Sequence, residues 1–307
     1  MKIQRVESVV YGVDDLQKGV RFFDDWGLTR LEKAPAGAAF TMPSGQTVVL
    51  RPAAEGSLPK APEPGSTVRE VIWGVDSERS LEELRAELSR DREVKSDPDG
   101  TLHTRDDIGF GIGFRKAAPR KGAGGSAKGS RMNRPFDPPR SAAPTRIGHV
   151  VYSIERKDQA KASAFYTGRL QFRMTYHTGD LGDFLRCNGS VDHHNLFFVK
   201  RPDRAAFNHV AFEVRDFDEI IFGGQIMRGK GWTPESPPGR HILGSNLFWY
   251  FHNPCGGNAE YFADMDEMDD NFKTRNWESS PGYAMWMMEP SDVPAMEARR
   301  IPPPKGS

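Results

Sequence analysis

Alternating apolar and polar positions mark residues 147–154 and 207–214 as half-buried strands, because successive strand side chains point to opposite faces. Stretches of helical period follow such strands. Helices are expected over about 15–26 and 157–167 after the first strand of each half, and over about 79–90 and 216–229 after the later ones. Within 79–90, Leu81, Leu84 and Leu88 recur on one helical face.

The pattern is written twice. Val6-Glu7-Ser8-Val9-Val10-Tyr11 reads against Ile147-Gly148-His149-Val150-Val151-Tyr152, an offset of 141 residues. Phe22-Phe23 reads against Phe165-Tyr166 at 143, residues 68–75 against 207–214 at 139, and Asp107-Ile108-Gly109-Phe110 against Pro254-Cys255-Gly256-Gly257 at 147. Four matches in one order at nearly constant offset indicate a duplicated unit, with the drift that loop insertions produce. The expected organisation is a first domain at 1–115, a Gly-, Pro- and Arg-rich linker or mobile loop at 116–145, and a second domain at 146–268. A tail at 269–307 carries Trp277, Tyr283 and Trp286 and reads as an active-site lid or a subunit contact.

Composition narrows the classes. A chain of 307 residues, 37% hydrophobic, has material for one large or two ordinary packed domains. Lys plus Arg balances Asp plus Glu at 42 each, so no overall field draws the chain to nucleic acid or anionic lipid. No apolar run reaches the length of a membrane span, and the first residues lack the apolar core of a signal peptide. Two cysteines make no disulfide framework, so free thiols in a cytoplasmic protein are expected.

A lone histidine or glutamate on a strand is usually structural or solvated. Three at matched strand positions ask for another explanation. His149 lies in the first strand of the second unit, His209 in the strand at 207–214, and Glu260 in the strand after the turn at 253–257. With helices covering the other faces, all three would point into one concave surface, Ile147 and Val151 sharing the face of His149, and Phe207 and Ala211 that of His209. Their counterparts in the first unit, Ser8, Glu70 and Gly113, form no such set. Two imidazoles and one carboxylate on one face leave positions open, which suits a non-haem iron(II) that activates dioxygen. A buried glutamate without a cation would be costly.

The segments 147–151 and 207–214, Gly239-Arg240-His241, and the stretch from Tyr250 through Asn253-Pro254 to Glu260 carry a resemblance. The chain resembles a two-domain type I extradiol catechol dioxygenase of the vicinal oxygen chelate superfamily, weakly over 1–115 and strongly over about 145–265. The resemblance implies an α+β fold of two tandem domains, each of paired βαβββ modules forming a curved mixed sheet around a cavity, with iron only in the second. It implies Fe(II) as cofactor, with Mn(II) as the alternative ion, O2 as co-substrate and a substituted catechol as substrate. His194 matches the acid–base histidine of that family, and Tyr250 and His241 match groups that hydrogen-bond the substrate oxygens. Asn246 is assigned a polar role beside His241. An apolar tail lid of Trp277, Met285, Trp286, Met287 and Met288 would favour an uncharged ring substituent, whereas Arg275, Arg299 and Arg300 would hold a carboxylate. A homo-oligomer is expected. The rival readings are a metal-dependent glyoxalase-like isomerase or lyase, and a metal-free protein that binds an aromatic compound.

Overall fold

A computed structural model describes residues 1–32, 37–119 and 141–289. Most of the linker at 116–145, together with Arg299 and Arg300, lies outside the described residues. The first half runs β1 (Ile3–Val13), α1 (Leu16–Asp25), β2 (Thr29–Arg30), β3 (Ala38–Thr41), β4 (Thr47–Pro52), β5 (Thr67–Val75), α2 (Glu78–Leu88), β6 (Lys95–Ser96), β7 (Leu102–Arg105) and β8 (Gly111–Lys116). The second half continues with β9 (Arg146–Glu155), α3 (Gln159–Ala164), β10 (Arg173–Thr178), β11 (Gly182–Arg186), β12 (Leu196–Arg201), β13 (Ala206–Glu213), α4 (Phe217–Gly229), β14 (Gly239–His241), β15 (Leu247–His252) and β16 (Asn258–Ala263). Two tail strands follow, β17 (Arg275–Trp277) and β18 (Ala284–Met287).

The helices begin where short polar side chains cap them. Asp15 accepts a hydrogen bond from the Lys18 N–H at the start of α1, Ser77 from Ser80 at α2, and Asp216 from Glu219 at α4. All four helices overlap the segments whose period predicted them. The third is shorter and continues into a π-helical turn at Phe165–Arg169, which buries Phe165 and Tyr166.

The duplication is visible in strand order. The first sheet runs β2-β3-β4-β1-β5-β8-β7-β6, and the second repeats it as β10-β11-β12-β9-β13-β16-β15-β14, with β17 and β18 added at its two edges. Register repeats as well. Ser8 pairs with Ile72 and Gly113 with Ile72 in the first sheet, as His149 and Glu260 both pair with Ala211 in the second. The sheets are curved and open, in the α+β arrangement of paired βαβββ modules expected above. The tail makes the curvature plain. From Trp277 to Ala284 the chain spans at most about 25 Å, whereas the edges of ten flat strands would lie about 43 Å apart. The two edges of the second sheet therefore curl toward each other.

One apolar core joins both halves. The Trp26 ring stacks on Tyr261 at 3.6 Å between centroids, and Gln46 binds both central strands, donating to the carbonyls of Val6 and Ile147. Gly224 lets α4 lie against β15, because a Cβ there would meet the Trp249 ring at 1.9 Å.

On the concave face of the first sheet, buried Glu70 accepts from His103 Nδ1 at 2.9 Å. That hydrogen bond raises the pKa of His103 above the ordinary value. A raised folded-state pKa contributes stability that is full below the unfolded value and fades as pH rises through the folded one. His103→Gln is therefore expected to cost about 1–2 kcal/mol near pH 6 and less near pH 9. Denaturant melts at both pH values measure the difference, and an equal cost at both would contradict the pairing.

Candidate metal centre

The central position of β13 assembles the triad. Ala211 pairs with His149 of β9 on one side and Glu260 of β16 on the other, so these two side chains flank a methyl group on the same face. His209 stands on that face two residues away. It arrives there through a β-bulge: Phe207 pairs with Tyr152 but His209 with Val151, leaving Asn208 unpaired between them. Simple alternation put Phe207 on the face of His209, and the bulge corrects this. Phe207 turns to the core, edge-on to Tyr11 and Tyr152. Gly148 leaves the space beside His149 that the Phe262 ring fills, since a Cβ there would lie 2.2 Å from the ring.

The three donor groups converge. His149 Nε2 lies 3.0 Å from Glu260 Oε2, His209 Nε2 3.2 Å from the same oxygen, and the two Nε2 atoms 3.4 Å apart. Donors at right angles around one ion with bonds of about 2.1 Å stand about 3.0 Å apart, so the spacing fits a facial set on a divalent cation. All three residues are buried, Glu260 completely. The pKa of Glu260 is lowered: burial opposes ionisation, but the two imidazoles outweigh it. Burial lowers that of His149 despite the pull of Glu260.

Supporting contacts orient each member. His209 Nδ1 donates to Asn208 Oδ1 at 2.7 Å, which turns the lone pair of Nε2 toward the group. Asn246 Nδ2 donates to Glu260 Oε1 at 3.1 Å, leaving Oε2 to face the histidines. The polar role read for Asn246 is thus a grip on the carboxylate.

The other sequence-named residues stand around the same cavity, whose volume is about 310 Å³. His194 lies in the turn leading into β12, its ring 4.2 Å from that of His149. Arg146 holds that turn by two bonds to Asp192, and Asn195 ties it to Gly148. His194 Nδ1 meets His193 Nδ1 at 3.0 Å, so one of the two carries the shared proton. Burial, reinforced by neighbouring His149, keeps the His194 pKa well below the usual imidazole range. His241 Nδ1 donates to the Tyr283 carbonyl at 3.0 Å, so its Nε2 accepts from the Tyr250 hydroxyl at 2.9 Å. Burial, with Glu260 next, raises the Tyr250 pKa well above the ordinary phenol value.

Residues 146–261 match the Glyoxalase/Bleomycin resistance protein/Dioxygenase superfamily. The second half is a domain of that superfamily. Over 175 residues the chain is 33% identical to Metapyrocatechase 2 of Cupriavidus necator, which covers 55% of this chain and 52% of that protein. The chain thus spans about half the length of the curated relative it matches. The fold is shared with a Mn(II)-bound glyoxalase from Novosphingobium aromaticivorans (TM-score 0.73, 23% identity, 97% of this chain and 96% of that one). It is also shared with a 2,3-dioxygenase from Pseudomonas sp. KL28 (TM-score 0.73, 19% identity, 91% and 98%).

Sequence reasoning missed several cavity residues of this superfamily domain. Phe184 and Phe197 stack at 3.9 Å and line the wall with Val199 and Arg201 of β12. Only the alternation of β12 could have marked the last three. Of the tail, Gly282 and Tyr283 line the cavity, whereas Trp277 packs on Tyr176 and Trp286 on Phe217. Arg275 lies over Tyr176 and Phe272. The apolar lid expected of the tail tryptophans and methionines is instead a wall from the sheet itself. Both cysteines are buried and free, and among the described residues no helix is long and apolar enough to cross a membrane.

Proposed function

We propose that the chain is an Fe(II)-dependent extradiol dioxygenase that opens the ring of a substituted catechol, with His149, His209 and Glu260 as metal ligands and Mn(II) as the alternative ion. The observation that carries this reading is the convergence of those three donors with His194 and the His241–Tyr250 pair at one end of an apolar cavity. The relative named as a metapyrocatechase supports it. Among the described residues the donor group holds a single carboxylate, which speaks against a glyoxalase-like site with a second one.

A bound iron would supply two-point chelation of the catechol oxygens and a redox path to dioxygen. The protein's own groups do the rest. With its Nδ1 donating to His193, neutral His194 presents the lone pair of Nε2, which takes a proton from a substrate hydroxyl and returns it later. Tyr250, its phenol kept protonated by burial, is able to swing its hydrogen bond from His241 to a substrate oxygen gaining charge. Val151, Leu181 and Leu243 keep water from the ring.

Protein purified without oxygen is expected to hold about one iron per chain and to consume oxygen with catechols, giving a yellow ring-opened product. Iron without oxygen uptake on any catechol would move the site to non-oxidative chemistry, and absence of bound metal would overturn the proposal. Ligation also requires neutral imidazoles. Because burial lowers the pKa of His149, protons compete with the metal only in acid. Metal is expected to stay at about pH 7 and to leave progressively below about pH 6. Metal content after dialysis across this range measures it, and full retention at about pH 5 would contradict it.

A further inference from the structure

The far end of the cavity carries a charge that the proposed reaction does not use. Arg201 lines the cavity, half-buried, and among the described residues its side chain has no hydrogen bond or ion pair. Its register partner on β9, Glu155, is engaged by Lys157 at 2.7 Å instead. A cavity-lining guanidinium that no protein acceptor engages is available to an anionic group of a ligand.

Position gives the ligand its length. Phe197 pairs with Val151 and Arg201 with Glu155, so Arg201 lies three cavity-facing positions beyond the row of His149. That is about 20 Å along the strand, part of which the arginine side chain covers by reaching back. Between the ends Val151, Phe184, Phe197 and Val199 form an apolar wall on the side of β9, β11 and β12, while Asn208 and Asn258 face the same space from β13 and β16. The cavity of about 310 Å³ exceeds the needs of a bare catechol and falls where sites for larger ligands begin, at about 300 Å³.

Charge gives the ligand its polarity. At the metal end Glu235 lines the cavity next to Tyr250, whose carbonyl accepts from its backbone N–H at 3.0 Å, and Glu260 stands beyond. Glu260 is spent on the cation, so Glu235 is the carboxylate that disfavours an acid group on the catechol ring, while the unpaired arginine favours one at the far end.

We infer that the substrate is a catechol whose flat apolar arm, roughly one further aromatic ring long, ends in a carboxylate received by Arg201; this rests on the ring-cleavage reading above. A bidentate charge-assisted contact to a planar carboxylate is what an arginine in that position is suited to make.

The test compares 3-phenylcatechol with 3-(4-carboxyphenyl)catechol on metal-loaded wild type, Arg201→Gln and Arg201→Lys. Dissociation constants are measured by anaerobic calorimetry and kcat/KM by oxygen uptake. The wild type is expected to prefer the carboxylated compound by about tenfold or more, Arg201→Gln to bring the ratio to about one, and Arg201→Lys to keep only part of it, because an ammonium lacks the bidentate fork. The neutral compound controls for cavity integrity within each variant. Equal affinities in the wild type, or a preference that survives Arg201→Gln, would overturn the inference and leave ring cleavage standing. An Arg201-dependent preference in calorimetry with no oxygen uptake on either compound would uphold the carboxylate subsite and remove the dioxygenase reading.

Discussion

Glu260→Ala is expected to strip the protein of metal and of turnover together. Glu260 is the only carboxylate of the triad, fully buried and placed 3.0 and 3.2 Å from the two imidazole nitrogens. Without it two neutral nitrogen donors remain, and the charge that balances a divalent cation in a dry site is gone. Losing even a supporting partner of a ligand costs about 10–100-fold in metal affinity, so losing the ligand is expected to cost more than about 100-fold. Metal analysis after gel filtration would then find under about a tenth of the wild-type content. Glu260→Gln, which keeps the volume and the Asn246 contact, separates loss of charge from loss of packing. Either variant retaining wild-type metal would place the centre elsewhere.

The second large effect separates chemistry from binding. His194→Phe is expected to keep the metal and lower kcat by about 10²–10⁴-fold, the range for removing a positioned acid–base group. The ring meets that of His149 in a tilted contact, 4.2 Å between centroids, yet belongs to no donor set among the described residues, and phenylalanine preserves that contact. The cost falls on His193, whose Nδ1 loses its partner in a buried site. His194→Asn therefore accompanies it, and both are compared with wild type in metal content, melting temperature and anaerobic catechol binding. Metal and catechol bound normally with slow turnover supports an acid–base role. Metal lost from both variants would reduce His194 to a structural support.

Much of this is legible in the sequence. Period-two and helical-period segments located β9, β13 and all four helices, because half-buried strands and amphipathic helices must alternate their surfaces in those rhythms. The internal repeat then served as a ruler. His149, His209 and Glu260 matched Ser8, Glu70 and Gly113 by spacing, and the paired strands repeat that correspondence residue for residue. Local pattern failed where an extra residue or a distant edge mattered. The bulge at Asn208 reverses the face of Phe207, and nothing in the alternation signals it, since a bulge is a property of two strands in register.

The sequence by itself determined the strand rhythm, the duplication and which His, His and Glu side chains come together on one face, all of which depend on residues near one another or on a fixed repeat. Only the tertiary structure decided the rest. Curvature of the second sheet brings its edges close enough for a six-residue tail segment to cross between β17 and β18, carrying Tyr283 rather than the tryptophans into the cavity. That same curvature sets Arg201, Glu235 and the metal-type donors around one space, though 59 residues separate Arg201 from Glu260 in the chain. Such neighbours are chosen by how whole sheets bend and pair, and that energy is spread over long-range contacts which no short stretch of sequence contains.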